Sequence, residues 1–570
     1  MSRNQTRAGG SRKAEKYAVE RRRSTDRSKR SQTRSTAPNW RVVTLKDETT
    51  GKLSHEIRFP VGDGTNGITT VGAEFSDEAV AKHMRGLTKA SIPDLAKLLR
   101  SGPRTNIIVT DRPGWRFDDA GHPIAFVTPR GIIGPKRKRY RWRGEARTEA
   151  HAGTADGWLQ VPKLAQESNF LAFGLMVAMA GPLLRYAQLT EDAIFHLAGQ
   201  TSVGKTLVAK VAKSLYAAPE PLPDWAQFPR ALEESAALAN ETVNILNAAE
   251  KVPIGKRAEK LNVIVHIVPE RQSPARSAGV QERFPNRSWQ CLSLSTGNHS
   301  GAEMAKSVGR SWDEQDQLRF IDIRVSSGGG GIFDLTSSRS EAAERSADLV
   351  RRLERLLDEE HGTFWRVWVP HLASLDLESR VPELVDRFVT KVSPANGFEE
   401  RIARKFGVVY AAGRIAVVAK LLPWPVNFPL KVVLRLYRQA RNDVTMKRRA
   451  EVGALQALLI ASSDASLFPP LATTSTLKVD AYGRPFGVRG KIAGQDAIAV
   501  RTDALGAIFP AMSSDQLVER LQMSGALVQG HGGKRTRQLN LRLKLARGTV
   551  RKPRFYVVSV PQLRSTLERT

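Results

Sequence analysis

One stretch, Gly199-Gln-Thr-Ser-Val-Gly-Lys-Thr206, constrains the fold of this chain more than any other feature. It fits the pattern G-x-x-x-x-G-K-[ST], in which a glycine-rich loop joins a strand to a helix and wraps around phosphate groups. The apolar run at 193–198 predicts a buried strand before the loop, and the periodicity of 207–215 predicts an amphipathic helix after it. A glycine-rich turn that begins an ordinary helix is the competing interpretation.

Each part of this loop has a physical task. Its glycines let the backbone approach phosphate closely, and its N–H groups lie at the positive end of the following helix. Lys205 would reach the β- and γ-phosphates, and the hydroxyl of Thr206 would ligate Mg²⁺. We therefore expect ATP and Mg²⁺ as cofactors. The expected nucleotide-binding residues are Gly199, Gln200, Thr201, Ser202, Val203, Gly204, Lys205 and Thr206.

The chain has 570 residues, which is too long for one hydrophobic core. The fold class we expect is an α/β P-loop NTPase core at 160–335, with an N-terminal α+β domain at 40–150. A helical bundle is expected at 340–465 and a winged-helix-like basic domain at 495–570. Residues 1–39 carry twelve Lys/Arg against three acids and almost nothing apolar, so we expect a disordered basic arm.

Periodicity and turn residues locate individual elements within these domains. Strands are predicted at 40–45, 107–110, 124–128, 242–246, 290–294, 318–325, 538–543 and 555–558. Helices are predicted at 77–100, 170–184, 347–357 and 513–521.

The charge of the chain indicates a polyanionic partner. Its 88 Lys and Arg exceed its 57 Asp and Glu, and the formal net charge is +31. We expect this partner to be nucleic acid, because nucleic acid is the commonest polyanion that a basic protein meets. DNA is the expected kind. Two basic segments are candidates for this contact. Their residues are Lys136, Arg137, Lys138, Arg139, Arg141, Lys534, Arg535 and Arg537.

Each basic segment has an alternative interpretation. In the first, Tyr140 and Trp142 alternate with the cations, which suits stacking on a nucleic-acid strand, yet a solvated loop or edge strand would look the same. The second lies in a stretch, 534–554, with nine Lys/Arg and no acid. Such a wing should lie on a phosphate backbone, although a basic hairpin used for packing is also consistent with it.

The cysteine count and the hydropathy of the chain limit the cellular locations that we expect for it. The single cysteine, Cys291, excludes an internal disulfide framework and a cysteine-based zinc site. The longest apolar run, 170–184, contains Gly181-Pro182 and is too short to span a bilayer. We expect a core helix there, no membrane partner, and a location in the bacterial cytoplasm.

Hydrolysis needs an acid at the end of a strand beside the loop, to hold Mg²⁺ and to orient the attacking water. The strand predicted at 242–246 ends instead at Asn247, which can hydrogen-bond a metal-bound water but supplies no charge. Glu250 follows closely and would be the general base if the local turn brings it inward. It could equally be an exposed residue of the next helix.

A second strand end supplies the remaining polar groups. The strand at 290–294 runs into Ser295-Thr296-Gly297-Asn298, where a polar side chain commonly contacts the γ-phosphate or the attacking water. We expect Asn298 to do so, with Thr296 as the alternative and an ordinary turn as the competing interpretation. Arg319 is expected to neutralise charge in the transition state, within its own chain or across a subunit boundary. The alternatives are Arg276, Arg283 and Arg287.

Several short motifs follow one another along residues 40–335. They are Gly114-Trp115, Ala125-Phe-Val-Thr-Pro129, Gly181-Pro-Leu-Leu184, the run from His196 to Thr206, Asp224-Trp225, Leu294-Ser-Thr-Gly297, Arg319-Phe-Ile-Asp-Ile323 and Gly331-Ile-Phe-Asp334. This order resembles the bacterial family called domain of unknown function 927. The resemblance implies a helicase-type P-loop ATPase of a phage or mobile element, often encoded beside primase functions.

The chain departs from the family pattern at two points. It has Asn247-Ala248 where the family carries an Asp-Glu pair, and Asn298 where the family carries Glu. Both changes remove carboxylates from the edge of the sheet. The resemblance therefore carries nucleotide binding onto Gly199, Gly204, Lys205 and Thr206 more securely than it carries hydrolysis.

We expect an ATP-dependent DNA-processing protein, either a helicase or a replication-initiator ATPase. It would act as a homo-oligomer, with a hexamer as the usual form of such ring motors, and primase or other replication proteins are the expected partners. A nucleotide-binding DNA scaffold with weak or no hydrolysis is the alternative. A small-molecule P-loop kinase would also fit the loop, but it leaves the basic segments unexplained.

Overall fold

The computed structural model describes most of the chain between residues 41 and 568. The described residues are 41–60, 66–72, 99–100, 105–143, 151–275, 277, 279, 286–325, 330–335, 338–509, 513–545 and 550–568. The expected arm at 1–39, most of the expected helix at 77–100, and the alternative arginines Arg276 and Arg283 lie outside them. The chain divides into two compact units, Met1–Asp111 with Pro135–Ala146, and Arg112–Gly134 with Arg147–Thr570. The second unit therefore interrupts the domain expected at 40–150.

The first unit contains a mixed sheet in the order β3-β2-β1-β4-β8. Its strands, numbered along the whole chain, are β1 (Arg41–Asp47), β2 (Leu53–Pro60), β3 (Asn66–Gly72), β4 (Thr105–Thr110) and β8 (Tyr140–Trp142). Strand β8 pairs in parallel with β4 at the edge of the sheet. Arg141 on this strand forms an ion pair with Glu56, and Arg143 forms one with Asp47.

The second unit is built around a parallel sheet in the order β10-β11-β9-β12. These strands are β9 (Ile194–Ala198), β10 (Val243–Leu246), β11 (Leu292–Gly297) and β12 (Phe320–Arg324). A small antiparallel sheet of β5 (Gly114–Phe117), β6 (Pro123–Thr128) and β7 (Gly131–Ile133) precedes them. These strands are mostly buried; β9 is a mostly apolar run, whereas β11 and β12 mix apolar with polar residues.

Helices surround this sheet. Those in the sheet region are α1 (Ala155–Trp158), α2 (Gln160–Ala165), α3 (Asn169–Ala180), α4 (Lys205–Ser214), α5 (Pro229–Leu238), α6 (Ile254–Asn262), α7 (Gly301–Ser307) and α8 (Glu314–Arg319). Helix α3 is wholly buried, and its Phe173 ring contacts Phe195 of β9 edge-on, with ring centroids 5.1 Å apart. Among the described residues, Asn169–Tyr186 is the segment long and apolar enough to cross a membrane, and 94% of it is buried inside the protein.

A helical region follows the sheet. It comprises α9 (Arg339–Glu359), α10 (Trp365–Ala373), α11 (Leu377–Val392), α12 (Gly397–Val418) and the long α13 (Phe428–Ser463). Helix α12 carries Phe406 against Phe173 of α3, with ring centroids 5.6 Å apart. The region therefore shares one core with the sheet.

The C-terminal region has a core of its own that begins on α13. Leu455 and Leu458 of that helix pack with Leu517, Val558 and other buried side chains, so this domain starts before the expected residue 495. Its elements are β13 (Thr476–Lys478), β14 (Gly487–Ile492), β15 (Gln495–Arg501), α14 (Leu505–Ile508), α15 (Ser514–Met523), β16 (Arg537–Gln538), β17 (Arg542–Lys544), β18 (Val550–Arg551), β19 (Arg554–Ser559) and α16 (Val560–Glu568).

The strands of this region form two sheets, in the orders β14-β15-β19-β16 and β13-β17-β18. The single strand predicted at 538–543 is thus wrong, because β16 pairs with β19 while β17 pairs with β13 in the other sheet. Leu541 between them is buried in the core, which the local alternation of apolar residues did not distinguish from a continuous strand. The winged-helix assignment stays a prediction.

Candidate nucleotide-binding site

The glycine-rich loop lies between β9 and α4. It leaves β9 at Ala198, and α4 begins at Lys205. Gly204, the residue before the helix, has φ 98°, and a Cβ atom there would lie 2.8 Å from Cγ1 of Ile332. This position accepts glycine alone without strain, because the backbone is left-handed and the space beyond it is filled. The strand, loop and helix expected from the sequence are all present.

Lys205 is held inside this loop. Its ammonium group is buried and donates hydrogen bonds to the backbone carbonyl oxygens of Gly199 at 2.8 Å and Gln200 at 2.6 Å. A longer contact of 3.4 Å joins it to Oδ1 of Asn298. Burial lowers the pKa of Lys205, and the negative charge of Glu250 partly offsets that shift. The side chain is therefore positioned as a cation in the concave side of the loop.

The parallel register places three strand ends at one edge of the sheet. Gly297 at the end of β11 pairs with Ala198 of β9, and Leu246 at the end of β10 pairs with Ser295. Asn247 and Asn298, which follow β10 and β11, consequently reach the same edge as the loop. This is the edge at which ligands bind to open parallel sheets.

Asn247 is hydrogen-bonded to two threonines at this edge. Its Oδ1 accepts a hydrogen bond from Thr296 Oγ1 at 2.7 Å and a longer one from Thr206 Oγ1 at 3.4 Å. Thr296 Oγ1 also accepts a hydrogen bond from the backbone N–H of Ala248 at 2.9 Å. The structure thus brings together the predicted metal-site residues Thr206 and Asn247 with the predicted alternative sensor, Thr296.

Glu250 lies on the wall of the adjoining cleft. Ala248, with φ 56°, turns the chain sharply after β10, and a 3-10 helix, Ala249–Lys251, follows. The side chain of Glu250 remains exposed and lines the same cleft as Lys205 and Asn298. The turn therefore brings Glu250 to the wall of this cleft, and its role as the general base stays a prediction.

The cleft has a volume of about 790 Å³, comparable to other small-molecule sites. One wall is the loop with the strand ends, and the other belongs to the segment 331–333 and to α9. The residues of this second wall are Gly331, Ile332, Phe333, Ala343, Ser346, Ala347, Val350, Arg351 and Glu354. The sequence did not assign any of them to the site; those on α9 could not be found, because their position depends on how a distant helix packs.

The side chains at the strand ends could supply a magnesium ion with only a small part of its ligands. Because Thr206 donates its proton to Asn247, its lone pairs remain able to bind a cation. The part of the chain that the structure describes contains no group of three or more His, Cys, Asp or Glu side chains that could hold a metal ion by itself. Mg²⁺ would therefore depend on Thr206, phosphate oxygens and water, which is its usual mode beside nucleotides.

His196 is a buried polar residue that the sequence did not mark as part of the site. It lies on β9, where Nδ1 is 2.8 Å from Ser295 Oγ and Nε2 is 3.0 Å from the carbonyl oxygen of His299. Burial lowers the pKa of this imidazole to about 4. Neutral His196 therefore ties β9 to the end of β11, directly beneath the loop.

Arg319 does not reach this site within its own chain. It immediately precedes β12, whose first residue Phe320 pairs with Ile194 at the start of β9, so it lies at the opposite edge of the sheet. There it forms ion pairs with Glu191 at 3.2 Å and Glu270 at 3.1 Å. The expectation that Arg319 serves the loop of its own chain is wrong. Arg287, which precedes β11, is likewise on the side where the strands begin.

The predicted nucleic-acid residues differ in their surroundings. Lys136, Arg137, Lys138 and Arg139 are exposed, and the last three form a 3-10 helix. Arg141 is engaged with Glu56. In the C-terminal region Lys534 and Arg535 are exposed, whereas Arg537 donates to the carbonyl oxygen of Gln529 at 2.7 Å.

Residues 76–266, which include the loop, Asn247 and Glu250, match the model of the family described as domain of unknown function (DUF927). The resemblance to that family is confirmed. A solved helicase of a mobile element, described as SCCmec type IV Cch, active helicase, matches over 93% of this chain and 95% of its own. The TM-score is 0.55 at 12% sequence identity, so this likeness concerns the fold. No curated protein matches the sequence.

Proposed function

We propose that this protein is an ATP-dependent DNA-processing ATPase, a helicase or a replication initiator of a phage or another mobile element. The observation that carries the proposal is the position of Lys205, whose ammonium group fills the loop and contacts the carbonyl oxygens of Gly199 and Gln200. With nucleotide bound, Lys205 would donate to phosphate oxygens instead of these carbonyl oxygens, and the backbone N–H groups of the loop would donate to the same phosphates. The helicase-like fold and the confirmed family resemblance support the same assignment.

In the proposed reaction a water molecule attacks the γ-phosphorus of ATP, and the bond to the bridging oxygen of ADP breaks. Lys205 would bind oxygens of the β- and γ-phosphates, and Asn298 would orient the attacking water. Glu250 would accept the proton that this water loses. When bound, Mg²⁺ neutralises phosphate charge, and Thr206 would be its protein ligand.

A second function, a nucleotide-binding DNA scaffold with slow or no hydrolysis, is favoured by one specific observation. The side chain beside Thr206 is the neutral amide of Asn247, not a carboxylate. A carboxylate at this position helps to hold the metal and to polarise the attacking water. Without it, nucleotide binding survives but turnover slows, so the protein would act through its nucleotide-bound state.

DNA is the proposed partner because of the net charge of +31 and the exposed cations at 136–139 and 534–535. A homo-oligomer, with a hexamer as the expected form, would let a neighbouring subunit supply the arginine that Arg319 does not supply within its own chain. Primase or other replication proteins are proposed as further partners, and the bacterial cytoplasm as the location.

DNA-stimulated phosphate release separates these functions. We expect turnover of ATP that rises when single-stranded DNA is added and is lost in Lys205→Ala. Lys391→Ala is the control, because that lysine of α11 is exposed and does not line the cleft. Binding of ATP and DNA with no turnover above Lys205→Ala would support the scaffold. ATP turnover that does not change when DNA is added would contradict a role in DNA processing.

A further inference from the structure

We propose that Arg351 of α9 binds the third phosphate of the nucleotide held by the loop and thereby makes this site prefer ATP to ADP. The inference rests on the proposed function and assigns a specificity-determining residue to the same site. It begins from the second wall of the cleft, where Arg351 lies opposite Lys205, Glu250 and Asn298.

The packing of α9 along α4 determines which turn of α4 lies beside Arg351. Lys210 Nζ lies 3.5 Å from Glu354 Oε1, and further along Gly362 N–H donates to the carbonyl oxygen of Ser214 at 2.7 Å. The two helices therefore run side by side in the same direction. Arg351 is three residues before Glu354, about 4.5 Å nearer the start of both helices. It stands beside the first turn of α4, which contains Thr206.

The face that α9 turns toward the cleft is continuous over three turns. The cleft-lining residues of this helix follow the spacing of a single helical face: Ala343, Ser346, Ala347, Val350, Arg351 and Glu354. The neighbouring Arg352 lies outside that face and does not line the cleft. Adjacent arginines on one helix therefore have different access to a bound nucleotide.

The charged groups around the cleft indicate that Arg351 is available to bind phosphate. Lys205 is held by the loop carbonyls, and Asn247 adds no charge. Arg351 is 65% exposed, and its contact with Asp348, at 3.6 Å, is an exposed pair between residues of the same helix. Exposed pairs of this kind are weak, so the guanidinium can exchange this partner for phosphate, whose oxygens suit its planar fork.

Binding of AMP-PNP and of ADP by the full chain tests this assignment, with fluorescent N-methylanthraniloyl derivatives as probes. We expect Arg351→Ala to weaken AMP-PNP binding by about 10- to 100-fold, as for a lost charge-assisted hydrogen bond, and ADP binding by less than twofold. Arg351→Lys should recover part of the loss, since it restores the charge without the fork. Arg352→Ala is the control and should bind both nucleotides as the wild type does.

Several results would overturn the proposal. Unchanged AMP-PNP binding in Arg351→Ala, or an equal loss for both nucleotides, would show that Arg351 does not read the third phosphate. An equal loss in Arg352→Ala would trace the effect to the net charge of α9. If wild type binds AMP-PNP and Lys205→Ala does not, the proposed nucleotide site stands whatever Arg351 does. If wild type binds neither nucleotide, both the proposed function and this inference fail.

Discussion

The Oδ1 atom of Asn247 lies 3.4 Å from the hydroxyl oxygen of Thr206, so a neutral amide occupies the place beside the expected metal ligand. Both hydrogen bonds that Oδ1 accepts come from hydroxyl groups, of Thr206 and Thr296. A carboxylate could accept the same two hydrogen bonds. The local geometry therefore tolerates an acid where the chain has an amide.

We accordingly expect Asn247→Asp to raise the rate of ATP turnover by about tenfold or more, because it adds a negative charge beside the metal and the attacking water. The measurement is steady-state phosphate release over a range of Mg²⁺ concentrations. In the double variant Asn247→Asp, Glu250→Gln the gain should disappear. A single variant no faster than wild type would mean that the amide does not limit turnover.

Glu250→Gln should lower the turnover number by about 100-fold or more while leaving nucleotide affinity intact, because it removes the proposed base and keeps the shape of the side chain. Glu259→Gln, an exposed change on α6, serves as the control and should have no effect. The check is turnover and nucleotide affinity measured on the same preparations. Normal turnover in Glu250→Gln would exclude Glu250 as the base.

The ion pairs at the opposite edge of the sheet should matter for stability. Glu191 accepts from Arg401 at 2.6 Å and from the buried Lys405 at 3.1 Å, in addition to Arg319. Glu191→Gln would leave the Lys405 charge buried without a full countercharge, which costs about 3–5 kcal/mol. Thermal unfolding should therefore shift by several degrees.

Asp386→Asn provides the comparison for that experiment. Asp386 pairs with Arg404 at 2.9 Å, and its side chain is 61% exposed. Loss of such a surface pair changes stability by about 0–1 kcal/mol. Equal shifts in the two variants would show that the Glu191 cluster contributes no more than a surface ion pair.

His196 should make folding sensitive to acid. Its folded pKa is about 4, against 6.5 for the ordinary side chain, so the unfolded chain binds the proton more readily between these values. The stabilisation is complete above pH 6.5 and is lost as the pH falls toward 4. That shift corresponds to about 3 kcal/mol.

The variant His196→Gln keeps a hydrogen-bond donor and an acceptor at this position. Its free energy of unfolding should lack the pH-dependent contribution of the imidazole. The measurement is the difference in unfolding free energy between wild type and variant, followed from pH 7 to pH 4. Wild type should lose more stability than the variant on acidification. A difference that stays constant with pH would mean that His196 does not titrate abnormally.

The exposed cations of the C-terminal region should contribute to DNA affinity through phosphate contacts. Replacement of Lys534 and Arg535 by Ala should reduce the slope of log affinity against log salt by about 2 and weaken binding similarly for all sequences. Lys391→Ala with Lys420→Ala removes the same charge from exposed positions in the helical region. If both double variants behave alike, net charge and not this surface would determine affinity.

The sequence predicts the elements that rest on local patterns. The mostly apolar run of β9, and the loop between β9 and α4 that combines fixed glycines with Lys205, are both visible without a structure. The strand ends were also predictable, and with them the meeting of Thr206, Asn247 and Asn298 at one edge.

Other features depend on packing that no local pattern encodes. The direction of Glu250 follows from the left-handed turn at Ala248, a residue type that does not favour such a turn. The position of Arg319 depends on which end of β12 it occupies relative to β9. Arg351 reaches the cleft because α9 returns to pack along α4, a long-range contact that the helical periodicity of α9 leaves undetermined.

The most direct test of the central claim is a titration of the full chain with Mg²⁺-ATP, followed by calorimetry, for wild type, Lys205→Ala and Lys391→Ala. We predict saturable binding of one nucleotide per chain to wild type and Lys391→Ala, and loss of that binding in Lys205→Ala with the fold intact by circular dichroism. Equal binding to all three proteins, or no binding to wild type, would contradict the assignment of the loop as a nucleotide site.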